Sequence, residues 1–265
     1  MSKQARDLFQ AGKLTEAIET LSAHVRSKPL DLEARGLLAD LLCLAGVPQR
    51  ADAQLDAISH QDPQLAVPVA LIRQLVRAET WRQDFHAEGR VPELLDSPPD
   101  HLRLHLEASV LIREGKPAEA AAKLAEAEEM RPHVAGEADG RRFDDFRDAD
   151  DLTASFFEVL TSTGKYFWIP IEQVETVDFQ PPSRPRDLLW RQAHMVVEGG
   201  PDGEVYLPAI YALPGAAWSD ADRLGRATDW SGGDGTPVRG IGQRTFLAGE
   251  EALPILAITS LSFGG

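Results

Sequence analysis

The residues best suited to chemistry are few. Asp144-Asp145-Phe146-Arg147-Asp148 has the spacing of an aspartate-rich magnesium site, in which carboxylates on one helix face hold Mg²⁺ against a diphosphate. Such a site needs a second aspartate-rich helix and a large apolar helical cavity, and the sequence shows neither. Arg141, Arg142 and Arg147 supply local charge partners, so the run reads as an ion-pair face near a helix N-terminus. His101 and His105 lie four apart, on one helix face. Two histidines do not complete a zinc site, and the residues between them lack the glutamate of a metalloprotease helix. Gly240-Ile241-Gly242 continues as Gln243-Arg244-Thr245, which is neither a dinucleotide fingerprint nor a phosphate loop. The single cysteine, Cys43, sits in Leu41-Leu42-Cys43-Leu44-Ala45 and reads as a small buried hydrophobe. The expectation is a protein with no catalytic residue, no cofactor and no metal.

Composition sets the frame for the elements that would carry any site. The chain has 265 residues, 43% hydrophobic and 26% charged, enough for a buried core in one large or two ordinary domains. Its formal net charge is −15, with the acidic excess shared by both halves and no cluster of Lys or Arg. A phosphate backbone would be repelled, which argues against nucleic acid as a partner. The N-terminus, Met1-Ser2-Lys3-Gln4-Ala5-Arg6-Asp7, lacks the apolar segment of a signal peptide. No uncharged apolar run reaches membrane-spanning length. A cytoplasmic protein without membrane insertion is expected.

The first half is organised by a repeat. Gly12, Ala17, Leu21 and Pro29 recur 34 residues on as Gly46, Ala51, Leu55 and Pro63, and again as Gly115, Ala120, Leu124 and Pro132. Each unit reads as a helical hairpin. The glycine ends the first helix in a left-handed cap. The alanine marks close approach of the paired helices, the leucine packs one turn later, and the proline stops the second helix. One further unit is expected between Pro63 and residue 98. There Ala70 to Val76 reads as a helix, but Thr80 and Phe85 stand where the glycine and alanine belong. The spacing resembles the tetratricopeptide repeat (TPR), without its helix-A Trp and Tyr. A TPR-like array is therefore expected over residues 1–133. Stacked hairpins leave a concave surface lined by the first helix of each. The groove candidates are Arg6, Phe9, Gln10, Asp40, Cys43, Leu44, Gln74, Arg77, His105, Ser109, Ile112 and Arg113, a cradle for a partner's peptide or helix.

After Pro132 the pattern changes. Residues 134–142 read as a linker, and 143–265 as a compact, mainly antiparallel β-rich α+β domain, giving a two-domain α+β chain. A helix is expected over Phe143 to Leu160. Tyr166-Phe167-Trp168-Ile169 reads as a short strand closed by Pro170. Trp190 to Val197 and Glu204 to Tyr211 flank Gly199-Gly200-Pro201-Asp202-Gly203 as a hairpin. Gln243 to Leu247 and Pro254 to Phe263 form a second one, and Asp229 to Gly235 is a Gly-rich loop. Trp168 and Trp190 are expected in the core; Trp218 and Trp230 suit either core or interface.

Several separated segments share one distinctive wording. They are Phe143-Asp144-Asp145-Phe146-Arg147-Asp148-Ala149-Asp150-Asp151-Leu152, Gly164-Lys165-Tyr166-Phe167-Trp168-Ile169-Pro170, Asp187-Leu188-Leu189-Trp190-Arg191, Gly203-Glu204-Val205-Tyr206-Leu207-Pro208-Ala209, Leu224-Gly225-Arg226-Ala227-Thr228-Asp229-Trp230 and Val238-Arg239-Gly240-Ile241-Gly242-Gln243-Arg244. Together they resemble the ImpE/TagJ family of type VI secretion accessory proteins, over nearly the whole chain. The resemblance implies a non-enzymatic adaptor. It also implies contact with an N-terminal helix of the contractile sheath's small subunit, and a link to the AAA+ ATPase that disassembles contracted sheath. The alternative is an enzyme or small-ligand module in the β-rich half, which would show Arg226, Arg239 and Arg244 clustered with acids in a deep pocket.

Overall fold

The computed structural model describes residues 3–212, 214–215 and 217–264. Its first half is helical: α1 (Lys3–Gln10), α2 (Leu14–Ser27), α3 (Leu32–Leu44), α4 (Pro48–Gln61), α5 (Ala66–Glu88), α6 (Asp100–Arg113) and α7 (Pro117–Met130). The repeat residues take the parts their types suggest. Gly12, Gly46 and Gly115 adopt φ of 82°, 72° and 73°, turning each hairpin where a side chain would be strained. Ala17, Ala51 and Ala120 are wholly buried between paired helices, and Leu21, Leu55 and Leu124 are buried beside them. Asp31 caps α3, accepting from the Ala34 amide at 3.0 Å. Pro48 and Pro117 open α4 and α7 in the first turn, where no amide donor is needed.

The expected hairpin between Pro63 and residue 98 is absent. With Thr80 in place of glycine nothing turns the chain, so α5 runs on for 23 residues and stops only at Gly89, φ 86°. Thr80 bonds back to the Val76 carbonyl at 2.8 Å, within the helix.

The second part is built from β1 (Gly136–Ala138), β2 (Arg141–Phe143), β3 (Phe146–Asp148), β4 (Phe156–Leu160), β5 (Tyr166–Pro170), β6 (Val174–Phe179), β7 (Trp190–Val197), β8 (Asp202–Pro208), the short α8 (Asp220–Arg223), β9 (Thr228–Gly233), β10 (Thr236–Gly242), β11 (Thr245–Ala248), β12 (Glu251–Pro254) and β13 (Ser260–Phe263). An eight-stranded sheet has the order β2-β1-β13-β6-β7-β8-β4-β5. A three-stranded sheet, β12-β11-β3, and the β9–β10 hairpin complete it, and every named pairing is antiparallel. The α+β class is as expected, as is the β7–β8 hairpin.

Four local expectations fail for tertiary reasons. Residues 143–160 are not a helix but carry β3, a 3-10 turn at Asp151–Thr153 and β4. All five β4 residues are buried, because the strand is covered on both faces and its sequence loses the alternation that marks a strand. Gly136–Ala138, inside the expected linker, pairs with β13. The Gly-rich stretch 229–235 is strand β9 and its turn. The expected strand 254–263 splits, β12 pairing with β11 and β13 crossing to β6 in the large sheet.

The large sheet lies between two interiors. Its helix-facing side presents Phe156, Leu160, Tyr166, Trp168, Trp190 and Tyr206 to a core shared with α1–α7. Phe156 stacks on Trp168 with ring centroids 3.8 Å apart, and Phe85 of α5 meets Trp168 edge-on at 4.8 Å. Its other side packs Phe157, Val159, Ile169, Met195 and Leu207 against Phe146, Phe246 and Phe263. Helices and strands thus share one continuous interior.

Candidate partner-binding cavity

Stacked hairpins must bury their inner apolar face against something, and here most of it meets the chain's own second half. Asp40 is 6% exposed and takes an ion pair from Arg186 at 2.9 Å. Leu44 is buried. His105 packs edge-on against Phe156, centroids 5.5 Å apart, and burial drives its imidazole down to about 3, so it is neutral. Ser109 bonds to the Leu106 carbonyl in its own helix. Arg113 donates to the Phe85 carbonyl at 3.1 Å. Gln74 is half-buried beside Gly164 of the β4–β5 turn. Phe9 is half-buried, and its carbonyl accepts from Arg226. Only Arg6, paired with Glu33, and Arg77 stand at the surface among these nine. Part of the groove expected from repeat geometry is covered in this structure by the chain's second half, with the turn of Arg186 over Asp40, the β4–β5 turn at Gln74 and β4 at His105.

The other chemical candidates are also accounted for. His101 bonds to Ser155 at 3.1 Å and to Glu172 at 2.7 Å. The aspartate run lies on strand and turn, its members facing apart: Asp145 is gripped by Arg131, and Asp148 points inward to Arg244. Of the three arginines of the alternative reading, Arg239 and Arg244 share a buried cluster with acids, in which the Asp150 amide donates to Asp148 at 3.0 Å, and Arg226 stands apart. Arg239 pairs with Asp150 at 2.9 Å, Arg244 with Asp148 and Glu158, and Arg226 with carbonyls of α1.

Where α5 crosses β4, a charged network is sealed into the shared core. Glu158 accepts from Arg82 Nε at 3.0 Å, from Arg244, from Tyr166 Oη and from His86 at 3.1 Å. Burial alone would raise its carboxyl, but Arg82 and Arg244 outweigh that and hold it well below the usual carboxylate range. Arg82 also reaches Glu79 at 3.2 Å and the Ile210 carbonyl at 3.0 Å, and Trp190 donates to Glu79 at 3.2 Å. Asp148, paired with Arg244 and bonded by Tyr211 at 2.7 Å, is pushed up to about 6, chiefly by burial. His86 is lowered by burial and stays neutral. Nothing in the local sequence marked Arg82 or His86. The one visible signal for Glu158 was a lone acid inside the apolar run Phe156-Phe157-Glu158-Val159-Leu160.

Beside this network opens a cavity of about 480 Å³ between the helices and the segment after β8. The end of α3 and the turn after it supply Cys43, Leu44 and Val47 as one wall. The floor is Glu79, Arg82 and His86 from α5, with their hydrogen bonds already made inside the protein. Ile210, Tyr211, Trp218 and Arg223 close the far side. Apolar walls over a satisfied polar floor favour an apolar guest that asks for few hydrogen bonds, and the volume lies in the range of ordinary ligand pockets. Of the groove candidates, Cys43 and Leu44 reach it.

A family model described as ImpE protein matches residues 140–262. The type VI secretion system accessory component TagJ of Pseudomonas aeruginosa is 33% identical over 251 residues, spanning 94% of this chain and 88% of that protein. The chain belongs to the ImpE/TagJ family. The crystal structure of protein VPA1032 from Vibrio parahaemolyticus superposes with a TM-score of 0.93 at 27% identity, covering 99% of this chain and 98% of that one. The span matched by the ImpE model holds Glu158, Arg244, Tyr211 and α8, so the sheet side of the cavity lies inside it, whereas α3 and α5 lie outside.

Proposed function

We propose that this protein is a non-enzymatic adaptor of a type VI secretion system, working in the cytoplasm by binding other proteins. Its likeness to the accessory component TagJ supports the coarse role. The cavity at the junction of helices and sheet carries the mode of action: it has apolar walls, a pocket-sized volume and lining from both halves of the chain. The finer reading is that an apolar residue on the N-terminal helix of the sheath's small subunit seats there, and that a second contact links the sheath to the AAA+ disassembly ATPase. Under this reading residues 1–133 and 143–265 act as one body, each supplying a wall. The acidic surface of a chain with net charge −15 selects a helix flanked by Lys or Arg. The alternative, an enzyme in the β-rich half, called for Arg226, Arg239 and Arg244 together; Arg226 is held at the end of α1 instead, away from the acids that pair Arg239 and Arg244.

Ala87 lines the cavity from an exposed position on α5, so Ala87→Trp fills the mouth without disturbing the core. Calorimetric titration with a peptide of the sheath subunit's N-terminal helix should show binding to the wild type. Affinity should drop roughly tenfold or more in the variant, as for a blocked anchor pocket. Equal affinity in both would remove the cavity from the proposal, and no binding to either at moderate salt would remove the helix. Asp40→Arg is unsuited to this purpose, because it would break the buried pair with Arg186.

A further inference from the structure

We infer that Ser219–Arg226 is a releasable clip that fastens the first two helical hairpins to the sheet and sets access to the cavity. The segment is a single helical turn with its own capping box: Ser219 Oγ accepts from the Asp222 amide at 3.2 Å, and the Ser219 amide donates to Asp222 at 2.8 Å. Its three outward charges go to helix ends, not to opposite charges. Asp220 accepts from the Thr15 amide at 3.0 Å and from Thr15 Oγ1 at 2.8 Å, in the first turn of α2, where the preceding Lys13 offers no side-chain cap. Arg226 donates to the carbonyls of Phe9 and Gln10, the last residues of α1, at 3.2 and 2.9 Å. Arg223 donates to the Ala45 carbonyl just past α3. The signs match the helix dipoles, acid at the N-terminus and bases at the C-termini.

The repeat glycines explain why these two arginines fit. A Cβ built on Gly12 would come within 2.7 Å of Arg226, and one on Gly46 within 3.6 Å of Arg223. The same turn in the last hairpin, at Gly115, has no such neighbour within 4 Å. Arginines three apart on one turn therefore sit on two hairpin turns 34 residues apart, and that spacing makes the clip specific to the first two hairpins. Arg223 is also a wall of the cavity, facing Cys43 and Leu44. Lifting the clip opens that wall and frees α1 and α2 together. The contacts of Asp220 and Arg226 lie at the exposed surface, where water and partner charges can compete for them. This inference stands apart from the sheath reading, since it concerns the chain alone.

The test uses the full chain carrying Asp220→Ala with Arg226→Ala, both outside the cavity lining. Amide exchange across residues 5–27 should speed up about fivefold to thirtyfold, the worth of two helix-end contacts, while α6 and α7 keep wild-type rates. Alkylation of Cys43, the single cysteine, should accelerate by a similar factor, because its thiol lies buried at the cavity wall. Asp220→Asn with Arg226 retained should stay close to wild type, since it keeps an acceptor for Thr15. Unchanged exchange in α1 and α2, or an equal rise in α6 and α7, would overturn the clip. Faster exchange with unchanged Cys43 alkylation would overturn its control of the cavity.

Discussion

The two faces of the large sheet bury opposite kinds of interior. The face away from the helices is mainly apolar, with Phe157, Val159 and Met195 packed against a cluster of phenylalanines, and the buried Arg191 there donates to the carbonyls of Leu256 and Ile258. The face toward the helices sets Glu158 among Trp168, Trp190 and Phe156, where it meets Arg82 and His86 of α5 and Arg244 from the link between β10 and β11. An apolar face tolerates a sliding partner, whereas a carboxylate shared by two guanidiniums, an imidazole and a phenol is satisfied in one register only. The charged face is where two differently built halves must find a single docking. It also borders the cavity, so Glu79, Arg82 and His86 of this network form the cavity floor.

That contrast can be broken in three ways. The largest effect is expected from Glu158→Ala, which removes the carboxylate that Arg82 and Arg244 share, leaves them only Glu79 and Asp148, and should cost about 3–5 kcal/mol in denaturant unfolding. Met195→Ala on the opposite face should cost less, about 2–3 kcal/mol, through a cavity alone. If the two costs match, the charged face is no more specifying than the apolar one. Next comes pH. The buried His105 titrates near 3 against an ordinary 6.5, so the native imidazole stays neutral while the unfolded chain takes up a proton. The stability it contributes is present above the unfolded value and is lost as pH falls. By about pH 4.5 the loss should reach about 2–3 kcal/mol, and His105→Leu should flatten that slope. His86, lowered by burial as well, keeps part of the slope in the variant; a slope wholly unchanged by the substitution would mean that His105 meets solvent, as an open groove would require. The smallest effect is expected from Arg6→Ala: its exposed pair with Glu33 should leave the unfolding midpoint within error, marking the outer rim of the array as energetically quiet.

Much of the helical part was legible because its rules are local. A glycine that must turn left-handed, an alanine that must not push helices apart and a proline that must not continue a helix each act within a few residues. The exception follows the same logic, since Thr80 cannot make the turn and α5 continues through it. The β-rich part was legible where one face meets solvent, as in the β7–β8 hairpin, and illegible in β4, whose two buried faces erase the alternation. The candidate site was legible only at Leu44 and Cys43. Glu79, Arg82 and His86 sit on a helix read as degenerate, and their roles depend on a strand more than 70 residues away.

The sequence by itself determined the hairpins, their turns and the family, because short-range sterics and a 34-residue spacing are written directly in the order of residues. Only the tertiary structure decided which face of the array stays open. The chain's second half covers much of that face, held by the buried pairs of Asp40 with Arg186 and of Glu158 with Arg82. A hollow remains at the margin between the two halves, where α3, α5 and Arg223 meet.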